Sequence, residues 1–518
     1  MNPMTAQPEK ESPMNARLTR RRVTSTARRL SVATLAVATV AGLAGGGASS
    51  VAVGQEPGVG PTPADASASA LDEATLDERV TVAGAARRAK ALGQPVEALS
   101  LRTDRSSVFV HPSGRRSAKL YAGPVRVKKR GHWRPLDTSL TRAGGEVRPR
   151  TTEAEMTFSG GADRSLASVE GERGSLDLSW KGDRLPAPVL AGQKALYRDV
   201  EPGVDIALSA APKGFTQRIV VDRVPKEPLV LRFGLKLSGL RARLTEHDRV
   251  ELIDRRGKRV ALANPARMWG SQIGRRSHEP LKQATVATRL VEAGEEQVLE
   301  LRPDPAFMAS VKGPVTIEPG AADQPAFAYA DLMTNGDTYV SSDWPSATYG
   351  GSTELKSGSY NGRNLHRSLV RFPGRADSAG NGLSGIPRGA HVTSAAMHLY
   401  NHWSWSCRPR TTEVYRVSRA WGVNSASWAK QPVVGARYGS ASHANGYSSA
   451  CPADYVGFSI TDLAQKWVDQ SVPNYGVRVQ PKDEARRDTF SWRKFRSANY
   501  ASGAKAPFLL VEYTPPTS

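Results

Sequence analysis

The most constraining feature of this sequence is its punctuation. Short runs that alternate apolar and polar residues are broken again and again by Gly, Pro and Asp. Examples are Lys119-Leu-Tyr-Ala, Pro124-Val-Arg-Val-Lys, Gln217-Arg-Ile-Val-Val-Asp, Leu229-Val-Leu-Arg-Phe and Val250-Glu-Leu-Ile-Asp. A chain cut this way has no room for long helices, and each run offers one face to bury. Stacked sheets answer that need, so the pattern predicts an all-β protein built of β-sandwich-type domains. One segment departs from it. In Ser459–Val468 the apolar residues Ile460, Leu463, Ala464, Trp467 and Val468 carry the i, i+3, i+4, i+7 spacing of an amphipathic helix, which predicts one short helix packed on a sheet. Residues 81–96 are expected to hold another short helix.

At 518 residues the chain exceeds one typical core. Its aromatic residues divide it: residues 326–518 hold seven of the ten Trp and twelve of the fourteen Tyr. With a Pro/Gly-bearing linker at Pro319–Pro325, this predicts a β-rich domain over 81–320 and a second over 326–518. The second carries further β-type runs at Asp337–Ser341, Leu369–Phe372, Ala395–Tyr400, Glu413–Val417 and Phe508–Tyr513.

The N-terminus reads as a signal peptide over residues 1–54. A basic region containing Arg20-Arg21-Arg22 and Arg28-Arg29 precedes an apolar stretch, Leu30–Leu43, too short for a membrane span, and small residues follow near Ala48–Gly54. Export by the general secretory route and by the twin-arginine route both remain open. No cysteine stands near the cleavage region, which excludes a lipoprotein anchor, and no later run is long enough to span a bilayer. Residues 55–80 have the Pro/Ala/Ser composition of a disordered linker. The expected location is therefore secreted, extracellular or cell-surface associated. In an exported chain the only two cysteines, Cys407 and Cys451, suggest one disulfide, with two buried thiols as the alternative.

The net charge of +22 raises nucleic acid as a partner, but its distribution argues against that. It is spread along the chain in no run of five or more Lys or Arg, and no helix-turn-helix, zinc-finger or RNA-recognition pattern accompanies it. No nucleic-acid partner is expected. The charge suits loose attraction to anionic envelope polymers or uronic-acid glycans.

Several motifs occur in an order that resembles a known family. They are Gly336-Asp-Thr-Tyr-Val, Ala347-Thr-Tyr-Gly-Gly, Arg367-Ser-Leu-Val-Arg-Phe, Gly385–Tyr400, Trp421 with Trp428 and Gln431-Pro432, Asp462-Leu-Ala-Gln-Lys-Trp467 and Asn474-Tyr-Gly476. Together they resemble the DNRLRE domain, akin to carbohydrate-binding module family 96 and the disaggregatase-related repeat, across nearly all of residues 330–515. The literal string DNRLRE is absent. The resemblance implies a β-jelly-roll in a secreted or surface protein, with carbohydrate binding in some relatives. Trp405-Ser-Cys407 and Tyr447-Ser-Ser-Ala-Cys451 resemble the actinobacterial branch, which supports pairing the cysteines. Farther upstream, Tyr121-Ala-Gly-Pro-Val-Arg-Val, Trp133-Arg-Pro-Leu-Asp-Thr, Tyr197–Asp205, Gly214-Phe215 and Asn264-Pro-Ala-Arg-Met-Trp269 resemble the β-rich N-terminal region of large secreted actinobacterial proteins carrying DNRLRE, LamG or Rhs modules. That resemblance implies no activity.

A sugar-binding jelly roll needs aromatic faces for pyranose rings and polar groups for hydroxyls. Trp403 and Trp405, at period two after a strand, form one candidate platform, with packing at the sandwich end as the alternative. Trp344, in a Trp-Pro loop, and Tyr360, in a Gly/Ser/Asn-rich loop, are candidate contacts. On the strand Ala395–Tyr400, Ala395, Met397 and Leu399 should face the core, leaving His398 and Tyr400 on the outer face with His402 in line, to line a groove, hold a metal or simply meet solvent. Asp337 and Asp343 are candidate ligands of a structural calcium. Trp421, Trp428, Trp467 and Trp492 are expected to pack. No Gly-x-Ser-x-Gly, His-Glu-x-x-His, P-loop or dinucleotide fingerprint occurs, so no catalytic residue and no other cofactor is assigned. The sequence is read as a secreted, non-catalytic protein binding polysaccharide or cell-envelope glycan. A structural or display module of a toxin or adhesion system is the second reading, and a polysaccharide-degrading enzyme the third.

Overall fold

The computed structural model describes residues 81–517 apart from 172, 226, 320–326, 329–335 and 376–380. The expected leader, the 55–80 linker and all of the second linker but Pro319 lie outside the described residues. The described chain is all-β, with short helices at Val82–Leu92, Pro305–Ser310 and Thr461–Val468.

A first sandwich faces two antiparallel sheets across a core. One sheet runs in the order 287–293, 296–302, 231–238, 174–180, 165–171, 155–158, 146–151 and 137–143. The other contains 189–191, 194–201, 204–211, 214–221, 315–318, 267–269 and 283–285. Alternation explains the layering: along Val204–Ala211, Val204, Ile206 and Leu208 point inward, while Asp205, Ala207 and Ser209 are half-exposed. Trp180, Phe158, Phe215 and Phe233 fill the space between the sheets.

The jelly roll pairs a five-stranded sheet (336–341, 366–371, 477–481, 410–417, 434–443) with a larger one containing 354–357, 493–496, 391–404, 454–459 and 508–514. Helix Thr461–Val468 packs where its apolar stripe predicts, burying Leu463, Ala464, Trp467 and Val468. The Gln465 side chain fixes it to the sheet, accepting from Val392 N at 2.7 Å and donating to Ala390 O at 3.1 Å. Cys407 and Cys451 are disulfide-bonded with Cα atoms 5.6 Å apart, tying the end of strand 391–404 to the loop before 454–459.

The expected division at 320/326 does not follow the sheet pairing. Strand Phe508–Thr514 is not an edge. Arg116–Tyr121 pairs with it from Arg116↔Tyr513 to Tyr121↔Phe508, and Ser106–Val110 and Val96–Glu97 extend the sheet further. Val108, Ala118, Leu120 and Ala122 share one core with Met397, Leu399 and Trp467. Alternation tells a strand which face to bury but not which sheet to join, so position in the sequence groups these strands with neighbours they do not pair with. Helix Val82–Leu92 closes this end. Thr81 Oγ1 caps it by accepting from Gly84 N at 3.1 Å, and Gly93, at φ +69°, ends it.

Candidate functional site

The outer face of the larger jelly-roll sheet carries the site residues that strand periodicity selected. Ala395, Met397 and Leu399 are buried, and His398 and Tyr400 are half-exposed on the opposite face. Neighbouring strands add rings to theirs. His398 stacks on Phe508 (centroids 4.6 Å apart, 13° between planes), Phe508 lies 6.1 Å from Tyr121 and 5.2 Å from Tyr455, and Tyr455 meets Tyr400 edge-on at 5.2 Å. Lys119 Nζ sits 4.5 Å from the Phe508 centroid and Lys505 Nζ 4.5 Å from that of Tyr400. Cross-strand register explains the row, since Tyr121, Phe508 and His398 stand directly opposite one another on three adjacent strands. The next position is Gly457, which leaves space beside the His398 ring. The result is a strip of five half-buried rings flanked by two ammonium groups, with a burial-lowered His398 pKa that keeps this imidazole neutral near pH 7. Such a strip can pack against sugar C–H faces while the lysines and Tyr hydroxyls meet polar groups. Tyr121, Tyr455, Phe508 and both lysines were missed from sequence, because only register reveals them.

His402, expected in line with His398 and Tyr400, is drawn out of the strip. The register shifts between Asn401 and Trp403, and His402 Nε2 lies 3.2 Å from Glu354. Trp403 is not a free platform either. His278 from the first sandwich stacks on it at 4.3 Å and 19°, and its indole donates to Arg276 O at 2.8 Å. Both residues belong to the loop 270–282, which joins paired strands Arg267–Trp269 and Gln283–Thr285. Gly274 lets this loop close, for a Cβ there would stand 2.2 Å from Ser277 Oγ. His278, at φ +56°, turns its carbonyl to accept from Lys494 Nζ at 3.2 Å. Glu279 then reaches Lys356 at 2.9 Å and Lys494 at 3.0 Å, and Glu354 reaches Lys494 at 2.8 Å. Burial alone would raise the Glu279 pKa, but Lys356 and Lys494 hold it below the usual carboxylate range. Trp492, wholly buried, donates its indole N–H to Ser277 O at 2.7 Å.

Two motifs noted separately in the sequence also meet. Asn264 accepts from Thr348 N at 3.1 Å, and Arg267 donates to the Tyr349 hydroxyl at 3.1 Å. The Arg267 guanidinium covers the Trp344 ring at 4.1 Å, so Trp344 is a packed residue. Trp421, Trp428, Trp467 and Trp492 pack as expected.

Tyr360 and Trp405 come together across a cleft of about 840 Å³ against the loop 273–283. Tyr360 donates to Asp343 Oδ2 at 2.8 Å, and its ring packs 5.5 Å from Trp492. Asp343 is thereby committed to Tyr360, with His366 Nε2 at 3.9 Å. Asp337 is buried elsewhere: burial pushes its carboxyl up to about 7, against a 2.8 Å hydrogen bond from Ala498 N. These two acids do not build a calcium site, and among the described residues no three His, Cys, Asp or Glu side chains converge. Nor is any described helix long and apolar enough to cross a membrane.

Residues 328–511 match the family model for carbohydrate-binding module family 96, and the match supports a carbohydrate-binding role for the jelly roll. No curated protein matches the chain. Among solved structures, exo-beta-1,3-galactanase from Phanerochaete chrysosporium aligns at 9% identity over 76% of this chain and 100% of its own. The TM-scores are 0.13 for the form with beta-1,3-galactotriose and 0.12 for the form with galactose, and at that level the likeness carries no argument.

Proposed function

We propose that this is a secreted, non-catalytic protein that binds polysaccharide or cell-envelope glycan through its jelly roll. The observation that carries the reading is the strip of Tyr121, Phe508, His398, Tyr455 and Tyr400 with Lys119 and Lys505, of which Phe508, His398, Tyr455, Tyr400 and Lys505 lie in the region similar to a carbohydrate-binding module and Tyr121 and Lys119 are added by the strand paired to it. The basic region and apolar stretch at residues 17–43 support export, and the DNRLRE-like motif order supports a secreted or cell-surface location. The Glu279 and Glu354 carboxylates are closed into ion pairs with lysines, which favours binding over acid–base chemistry. Pull-down of the full chain on insoluble polysaccharides and a glycan array test the reading. Tyr400→Ala/Tyr455→Ala should weaken retention roughly five- to 150-fold, each stacked ring contributing roughly 0.5–1.5 kcal/mol. A folded protein that binds no glycan on any support refutes it.

A further inference from the structure

We infer that the cleft between the loop 273–283 and the jelly roll is a second glycan site, selective for sugars that carry a carboxylate or phosphate. The inference rests on the glycan-binding reading but concerns different residues, supplied by both sandwiches. Its lining contains three cations, Arg275, Arg276 and Lys282, and no carboxylate. Arg275 and Arg276 are exposed and make no ion pair among the described residues, although elsewhere arginines are repeatedly matched to acids, as in Arg367–Glu484 and Arg410–Asp488. Glu279, the acid nearest in sequence, is turned away and held by Lys356 and Lys494. Local charge is thus unbalanced by construction, and it faces an aromatic wall.

That wall is rigid. Tyr360 is fixed by its bond to Asp343 and by the Trp492 ring. Trp405 is anchored by its backbone N–H to Trp492 O at 3.3 Å and by the disulfide two residues on. Trp344 and Trp403 are each covered by a side chain of the first sandwich, whereas the Trp405 ring has no ring or cation partner among the described residues. Asn361 uses its side-chain oxygen to accept from Arg363 N and Asn364 N, which leaves its NH₂ as a donor at the rim. Ring faces for a pyranose and forked donors for an anionic substituent therefore converge, in a volume that suits a short run of sugar units.

The test is calorimetric titration of the full chain with polygalacturonate, a polyglycerol-phosphate teichoic acid, neutral dextran and polyglutamate. The variants are Arg275→Ser/Arg276→Ser and Trp405→Ala, with unfolding midpoints confirming that both fold. Both variants should bind at least one of the two anionic glycans tenfold or more weakly, and the two arms separate carboxylate from phosphate recognition. Wild-type binding should weaken when salt is raised from about 0.1 to 0.5 M. Unchanged binding of both anionic glycans overturns the cleft while leaving the sheet strip standing. Polyglutamate binding that equals the glycans and ignores Trp405→Ala reduces the cleft to a polyanion patch and also overturns it. Failure of the wild-type chain to bind any glycan removes the underlying reading as well.

Discussion

Cutting the chain at the aromatic boundary should unfold the jelly roll rather than release it. A fragment of residues 326–518 loses strands 96–97, 106–110 and 116–121, and with them the partner of strand 508–514 along its six-residue register. Val108 and Leu120 are wholly buried, and at roughly 1.5–3 kcal/mol each they account for about 3–6 kcal/mol; Ala118 and Ala122 add about 1 kcal/mol between them. The cut also removes Glu279 from Lys356 and Lys494, whose side chains are 6% and 5% exposed. The same cut removes the loop that covers these lysines, so water replaces the lost carboxylate and the pair adds little to the loss. The total, about 4–7 kcal/mol, is comparable to the whole stability of a typical domain. Near-UV circular dichroism and urea unfolding should show no cooperative transition for the fragment, and sedimentation should show self-association through the opened strand edge. Fusing residues 94–123 to its N-terminus by a flexible linker should restore part of the transition. A 326–518 fragment that unfolds cooperatively within about 2 kcal/mol of the full chain would refute the reasoning.

Two further outcomes follow from buried charge. Glu279→Gln removes the carboxylate that Lys356 and Lys494 share, leaving Glu354 paired to Lys494, and should cost roughly 3 kcal/mol in urea unfolding, while Glu279→Gln/Lys356→Met recovers much of it; equal losses in both variants would argue against the pairing. The pH dependence has opposing parts. Burial holds His366 down at about 3 and His443 well below its ordinary value of 6.5, so the unfolded chain takes up these protons first and stability falls as pH drops below 6.5. Asp337, raised by burial to about 7 from 3.8, binds its proton first in the folded chain, so its contribution grows as pH falls from 7 toward 4 and cancels about one histidine's slope. Asp337→Asn should therefore steepen the acid loss between pH 4 and 6.5 by up to about 1.4 kcal/mol per pH unit, and parallel pH profiles for variant and wild type would contradict this assignment.

What the sequence disclosed and what it hid divide along physical lines. Period-two alternation settled the faces of Ala395–Tyr400, because which side of a strand is buried is a local property, and it failed at His402, where a register shift follows Asn401. Helical spacing placed Leu463, Ala464, Trp467 and Val468 on one buried stripe for the same reason. The aromatic strip was half-legible: His398 and Tyr400 share a strand, whereas Phe508, Tyr121 and Tyr455 reach them only through register between strands distant in sequence. Exposed-loop context misjudged Trp344, and for Trp403, left open between a platform and packing, the structure shows packing, since an aromatic ring flanked by Pro or Ser is as well suited to covering by a neighbour as to binding a sugar. The covering residues, Arg267 and His278, belong to the other sandwich, and no local pattern announces such a contact.

The same junction gives the two sandwiches a shared consequence. The Asn264–Trp269 motif docks on Thr348 and Tyr349, and the loop that follows it, 270–282, places Ser277, His278 and Glu279 against Trp492, Trp403 and the two buried lysines. These contacts leave the loop's other cleft-lining side chains, Arg275, Arg276 and Lys282 among them, beside Trp405 and Tyr360. Docking contacts and cleft-lining cations are therefore divided between adjacent residues of one loop. Exchanging Arg275 and Arg276 alters the charge presented to a glycan without disturbing the buried ion pairs, whereas exchanging Glu279 or His278 loosens the sandwiches themselves. On the proposed reading, a region similar to a carbohydrate-binding module would have its choice of sugars set in part by residues that lie outside its own matched segment.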